Sequence, residues 1–208
     1  MNKEYKLPDN LILLISGVPG VGKTTISYEL LKFHNEIRIV EETDIVREIL
    51  RGYKEKLAEH CQIDSYNIYP HDVFLDYEMA KQQCDIMKNS IVNIVKRQQR
   101  KNIPSIINGV HIIPEVLCMD ISSPNIIYIN LYVDSEHALR ERLKNRNSNK
   151  YTPACIPYLF QTNLDLYNSF CQMSKSYNML YTINVSNLSV KETLSEINSI
   201  FCKIYGTH

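Results

Sequence analysis

Along this chain, short and nearly unbroken apolar runs alternate with longer stretches in which apolar residues return every third or fourth position. The runs fall at 11–16 (LILLIS), 36–40, 105–108, 125–133 and 180–184. Uninterrupted runs of this length predict strands buried on both faces, the condition of a parallel sheet covered by helices. After the first run Ile26, Leu30 and Phe33 keep helical spacing, and after the second Ile45, Val46, Ile49 and Leu50 do the same. A long polar helix is expected over 72–101, with Val73, Tyr77, Ala80, Cys84, Met87, Ile91, Ile94 and Val95 on its buried stripe and Gln82 and Gln83 beside it in solvent. Further helices are expected over 136–146 and 157–179. A capping-box pattern, Ser189 with Glu192, opens a last one whose stripe is Leu194, Ile197, Ile200, Phe201 and Ile204. The alternation predicts an α/β fold: a three-layer α/β/α sandwich on a mostly parallel five-stranded sheet, one domain over residues 1–208 with a helical lid at about 142–157.

The turn between the first strand and the first helix carries the strongest chemistry. Gly17, Gly22, Lys23 and Thr24 stand at the spacing G-x-x-x-x-G-K-[ST] of the phosphate-binding P-loop. A loop that wraps phosphates must turn several backbone N–H groups inward, and glycine permits the dihedrals and the close approach this needs. The expected cradle is Gly17, Val18, Pro19, Gly20, Val21, Gly22, Lys23, Thr24 and Thr25, with Lys23 on the terminal phosphates and the Thr24 hydroxyl on magnesium.

Ligands of open parallel sheets bind beyond the carboxyl ends of the strands, and several polar residues fall there. Asp44 follows the second strand, with Glu41 and Glu42 just before it; it is placed to be a general base or an outer magnesium ligand, or else it or Thr43 caps the helix that follows. Arg47 and Arg51 lie four apart on that helix, on a different face from Ile45 and Ile49, either toward a bound anion or, for Arg51 especially, in solvent. Residues 52–71 lack a clear period and are candidates for the acceptor pocket. Asn108 and His111 stand at the end of the third strand, where His111, flanked by Val110 and Ile112, is equally a core residue or a site residue. Arg140, Arg142 and Arg146 precede a loop over 147–157 whose composition predicts mobility, the arrangement of a lid that closes cations over a transferring phosphoryl group.

Composition adds exclusions. With 23 basic and 23 acidic residues the net charge is zero, so neither a polynucleotide footprint nor attraction to an anionic membrane is expected. Six cysteines form no C-x-x-C pair, which fits free thiols in a reducing compartment. There is no signal-peptide profile and no run long enough to span a bilayer, so the expectation is a cytoplasmic protein. The oligomeric state is open.

Taken together, the P-loop, Glu42-Thr-Asp-x-x-Arg-Glu48, Asn108-Gly-Val-His-Ile-Ile-Pro114 and Asp134-x-Glu-His137 make the chain resemble 2-phosphoglycerate kinase and its relatives from Ile15 to about Arg146. The resemblance implies a P-loop kinase that uses ATP and Mg2+. Lys23 and Thr24 would hold the nucleotide and metal, Asp44, Arg47 and His111 would lie at a small, anionic acceptor, and Arg142 and Arg146 would belong to the lid. One departure is Asn108, where the family has glutamate, so that Glu41 or Glu42 would have to supply the missing charge. The alternatives are a kinase of a nucleoside or nucleic-acid end, and a non-catalytic ATP-binding switch. A GTPase would be expected to carry Asn-Lys-x-Asp, which is absent.

Overall fold

The computed structural model describes residues 5–53, 76–144 and 151–206. Five strands, β1 (Ile12–Ser16), β2 (Ile39–Glu42), β3 (Ser105–Asn108), β4 (Ile126–Tyr132) and β5 (Leu180–Asn184), form one sheet in the order β2-β3-β1-β4-β5, every pair parallel. Position follows hydrophobicity. Strand β1 has no exposed residue and takes the centre, whereas β2, IVEE and half-buried throughout, takes an edge where one flank meets fewer partners.

Helices α1 (Lys23–Phe33) and α7 (Val190–Tyr205) pack together. Helices α3 (Tyr77–Arg100), α4 (Pro114–Leu117) and α6 (Ile156–Met173) pack against one another, with α6 also on β4 and β5. Right-handed crossovers account for this division. The chain leaves β1 toward β2 by way of α1 and then reverses direction, which puts the later crossover helices on the opposite face. The reversal makes a crevice at the carboxyl ends of β1 and β3, the place where α/β sheets bind ligands. Helices α2 (Thr43–Gly52) and α5 (Glu136–Lys144) start at that edge.

Several local expectations shift. Strand β2 begins and ends later than 36–40: the Arg38 N–H bond to Pro104 O leads into a β3 register that runs from Ile39 opposite Ser105 to Glu42 opposite Asn108. Glu41 and Glu42 therefore lie inside the strand. Within α2 the faces differ from the simple apolar stripe: Val46 and Leu50 pack on the core, but Ile45 and Ile49 are 59% and 56% exposed. The Arg47 and Arg51 side chains are only 18% and 11% exposed, so Arg51 is not a solvated residue. Thr43, Arg47 and Arg51, four residues apart, form the inward face.

Helix α3 is capped by Asp76, whose side chain accepts from Met79 N–H at 2.7 Å, and Val73 lies outside the described residues. Its buried face includes Gln83, contrary to the expectation of a solvated pair. The 147–157 segment is partly regular, since a 3-10 turn at Pro153–Cys155 leads directly into α6; residues 145–150 lie outside the described residues. Helix α6 ends at Met173, short of 179, where Ser174 to Tyr177 turn back on its last carbonyls before β5. The capping box at Ser189 forms as the sequence predicts. The described cysteines, Cys84, Cys118, Cys155, Cys171 and Cys202, carry free thiols. Among the described residues no helix is long and apolar enough to cross a membrane.

Candidate functional site

Strand β1 runs out at Ser16 directly into the phosphate loop. Gly22, at φ 98°, is the α1 N-cap and offers no side chain, and the first helical bond closes from Ile26 N–H to Gly22 O at 2.9 Å. The first-turn N–H groups of Thr24 and Thr25 thus point out of the helix end with no carbonyl of the helix to receive them, which is the ready-made anion site of a helix N-terminus. Gly17, at φ 141°, passes so close under β4 that an added Cβ would stand 2.5 Å from Leu131 O. Lys23 Nζ donates to Val18 O at 3.0 Å and so lies over its own loop, while Thr24 and Thr25 are exposed.

Beside the loop is a cavity of about 390 Å³, bounded by residues 20–26 and by Arg142, Leu188, Ser189, Val190 and Thr193. Arg142 is half-buried, and burial lowers its pKa. Its Nη2 donates to Leu188 O at 3.0 Å and also to Val185 O, while Nη1 lies near Gly22. This arginine is therefore built into the wall next to the phosphate loop by the segment following β5. Arg140 instead pairs with Glu136 at 2.8 Å, and Arg146 lies outside the described residues.

A polar network lies on the other side, where β2, β3 and α2 meet. Thr43, the first residue of α2, is fully buried, and its Oγ1 is 3.0 Å from His111 Nδ1. The other ring nitrogen of His111, Nε2, is 2.7 Å from Gln83 Oε1. Gly109 makes this packing possible, since a Cβ there would meet Thr43 Oγ1 at 1.8 Å. Asp44 is exposed and does not cap α2; the N-cap is Glu42, with no side-chain bond. Its Oδ1 is 3.2 Å from Arg47 Nη2 and 3.9 Å from His111 Nδ1.

His111 has no exposed surface. Burial drives its pKa down from 6.5 to about 3, with Asp44 opposing and Arg47, Lys23 and Arg51 reinforcing the shift, so the ring is neutral. By geometry the ring's neighbours are Thr43, Gln83 and Asp44, and Arg47 is tied to it through Gln83 and Asp44.

Between the two halves the strand ends are polar. Ser16 Oγ, Asn108 Nδ2 and both amide atoms of Asn130 are buried without a partner among the described residues, and Ser16 and Asn130 are register neighbours. Buried polar groups of this kind call for water or ligand. Glu41 Oε1 accepts from Gln98 at 2.9 Å, whereas Glu42 stands opposite Asn108 in the register.

Sequence reasoning brought Lys23, Asp44, Arg47 and His111 to one edge but missed Gln83, Thr43 as a buried partner, and Gly109. A signal existed for Gln83, which lies three residues after Ala80 and four before Met87, on the stripe itself. Residues 54–71 of the expected acceptor segment lie outside the described residues.

Sheet order, phosphate loop and crossover helices define a P-loop α/β fold of the kinase type. A gluconokinase from Sinorhizobium meliloti 1021 shares it with a TM-score of 0.59 over 95% of each chain, at 14% identity. By sequence the chain is similar to the 2-phosphoglycerate kinase of Pyrococcus horikoshii, with 27% identity over 206 residues that cover 94% of this chain and 64% of that protein. It is also similar to the mevalonate-3-phosphate 5-kinase of Thermoplasma acidophilum, 27% identical over 141 residues, 65% of this chain and 67% of that one. The chain spans just under two thirds of the length of the 2-phosphoglycerate kinase it matches. No protein-family model matches the chain.

Proposed function

We propose that this protein is an ATP-dependent phosphotransferase that phosphorylates a small anionic metabolite, with 2-phosphoglycerate the first acceptor to test. The observation that carries this is the phosphate loop with its adjoining cavity at the strand ends, beside an α2 face where Arg47 is held inward between Gln83 and Asp44. The acceptors in the names of both sequence relatives already carry a phosphate, which suits two inward arginines.

The residues fit the nucleotide: open N–H groups at the start of α1, an adjoining cavity, and a threonine hydroxyl exposed at the first turn. When bound, ATP with Mg2+ supplies the phosphoryl group and a cation that draws charge off its oxygens. The phosphate loop, residues 17–25, would wrap the phosphate chain, Thr24 would hold the metal, and Lys23 would neutralise the terminal phosphates. Arg47 binds the acceptor's anionic group. Asp44 takes the acceptor hydroxyl proton as that oxygen bonds to the γ-phosphorus and the bond to the ADP oxygen breaks. Glu42 provides the carboxylate beside Asn108. Arg142, held beside the phosphate loop by the carbonyls of Val185 and Leu188, supplies a cation there, and the lid expected at about 142–157, with Arg146, would keep water from the transfer, all within one domain. ATP rather than GTP rests on the relatives.

The test is ADP release from ATP and Mg2+ with 2-phosphoglycerate, 3-phosphoglycerate, mevalonate 3-phosphate, sugar acids and nucleosides in parallel. Release stimulated by a phosphorylated acid supports the proposal. Release stimulated by nucleosides alone, or by no acceptor, overturns it.

A further inference from the structure

Gln83 is a buried glutamine whose carbonyl oxygen has two donors within reach: His111 Nε2 at 2.7 Å and Arg47 Nη1 at 3.5 Å. The arginine decides how the amide is turned, because a guanidinium cannot accept a hydrogen bond and so must face the oxygen and not the NH2. An oxygen facing Nε2 requires a proton on that nitrogen. In the neutral ring Nδ1 is then a bare acceptor, and the Thr43 hydroxyl, 3.0 Å away, donates to it. Among the described residues, Asp44 of α2 stands 3.9 Å from Nδ1 and α3 presents the Gln83 amide to Nε2; the charge of Asp44 favours a proton on the ring, and those of Arg47, Lys23 and Arg51 oppose it. The Arg47 guanidinium is thus held by Gln83 at one end and Asp44 at the other, and its Nε is buried without a partner among the described residues.

We propose that Gln83 is a positioning residue of the acceptor site: its carbonyl oxygen fixes the Nε2–H tautomer of His111 and the aim of Arg47, and through His111 and Thr43 it holds the first turn of α2 in place. The inference rests on the reading of the protein as a kinase of an anionic acceptor. It gives His111 a fixed proton assignment, and it ties α3, far in sequence from the P-loop motif, to acceptor binding.

Two measurements test it. In the protein without nucleotide or acceptor, the NMR shifts of the two His111 ring nitrogens should show Nε2 protonated and Nδ1 bare. In Gln83→Met, which keeps the length and loses the oxygen, both tautomers should appear. The kcat/KM for the acceptor should fall about tenfold or more through a raised KM, while the Kd for ATP changes by less than about threefold. Gln83→Glu, which keeps an oxygen toward Nε2 and Arg47, should hold the acceptor KM near the native value; if the methionine protein does not fold, the tautomer of the native protein decides. An Nδ1–H tautomer in the native protein overturns the inference. Equal losses of ATP and acceptor binding in Gln83→Met, or no loss at all, overturn it too. A native protein that phosphorylates nothing in the acceptor panel instead fails the kinase reading, so the two failures are distinguishable.

Discussion

The chemistry of this site depends on a few atoms whose neighbours are close. Gly109 is the plainest case: a Cβ would collide with Thr43 Oγ1 at 1.8 Å and approach Thr43 Cβ at 3.0 Å. Gly109→Ala should therefore cost about 1–3 kcal/mol in urea unfolding, as overpacking of a filled interior does. Pairing it with Thr43→Ala, which removes the atom struck first, should return part of that loss. His111 gives a pH signature with a definite sign. Its folded pKa lies near 3 and its unfolded value near 6.5, so between those limits the unfolded chain binds a proton that the folded protein refuses. Stability must then fall as pH drops through that window, by at most about 1.4 kcal/mol per pH unit from this group, and be unaffected by it above. Urea midpoints measured against pH should show a shallower acid slope in His111→Gln, and an unchanged slope would place the ring outside the core. Asp44→Asn should leave ATP binding nearly intact while lowering the transfer rate about a hundredfold or more. A near-native rate, read in the same coupled ADP assay, would show that Asp44 is not the base. The sequence exposed Lys23 and Asp44 as candidates because each sits in a spaced motif. It left Gln83 among solvated residues, because a single polar position on a helix stripe looks alike whether or not a histidine from the turn after β3 comes to meet it.

At the level of elements, helix ends are where local sequence speaks clearly. Ser189 and Glu192 exchange the two bonds of a capping box, Ser189 Oγ accepting from Glu192 N–H at 3.2 Å and Glu192 accepting from Ser189 N–H at 2.8 Å. Ser189→Ala should cost about 1 kcal/mol, measured by thermal or urea unfolding. Because Ser189 also borders the cavity beside the phosphate loop, the same variant should weaken nucleotide binding if the proposed site is right. Helix α2 shows the opposite situation. Its periodic apolar pairs, Ile45 with Ile49 and Val46 with Leu50, are equally good local stripes, yet only the second packs inward. The choice was made by Thr43, drawn down onto Gly109 and His111, which rotates the helix so that Arg47 and Arg51 follow it to the inner face.

Across the whole molecule, binding and folding are one equilibrium. If the phosphate loop takes ATP with Mg2+ as proposed, nucleotide at a hundred times its Kd should stabilise the protein by about 2.7 kcal/mol, seen as a raised Tm. Lys23→Ala should abolish transfer, keep the fold by circular dichroism, and lose most of that Tm rise. An equal rise in native and variant protein would take Lys23 out of nucleotide binding. The linear sequence by itself determined the class of this molecule. Continuous apolar runs cannot be solvated and must become central strands, 3.6-residue periods must become covering helices, and the glycine spacing before Lys23 leaves little choice but a phosphate loop between them. Tertiary structure alone decided the rest: the order β2-β3-β1-β4-β5, the late start of β2, the inward arginines of α2, the burial of His111 and the recruitment of Gln83. The physical reason is that these depend on contacts between residues far apart in the chain, where a parallel register or one hydrogen bond to a distant side chain outweighs the small local preferences that a pattern of residues records.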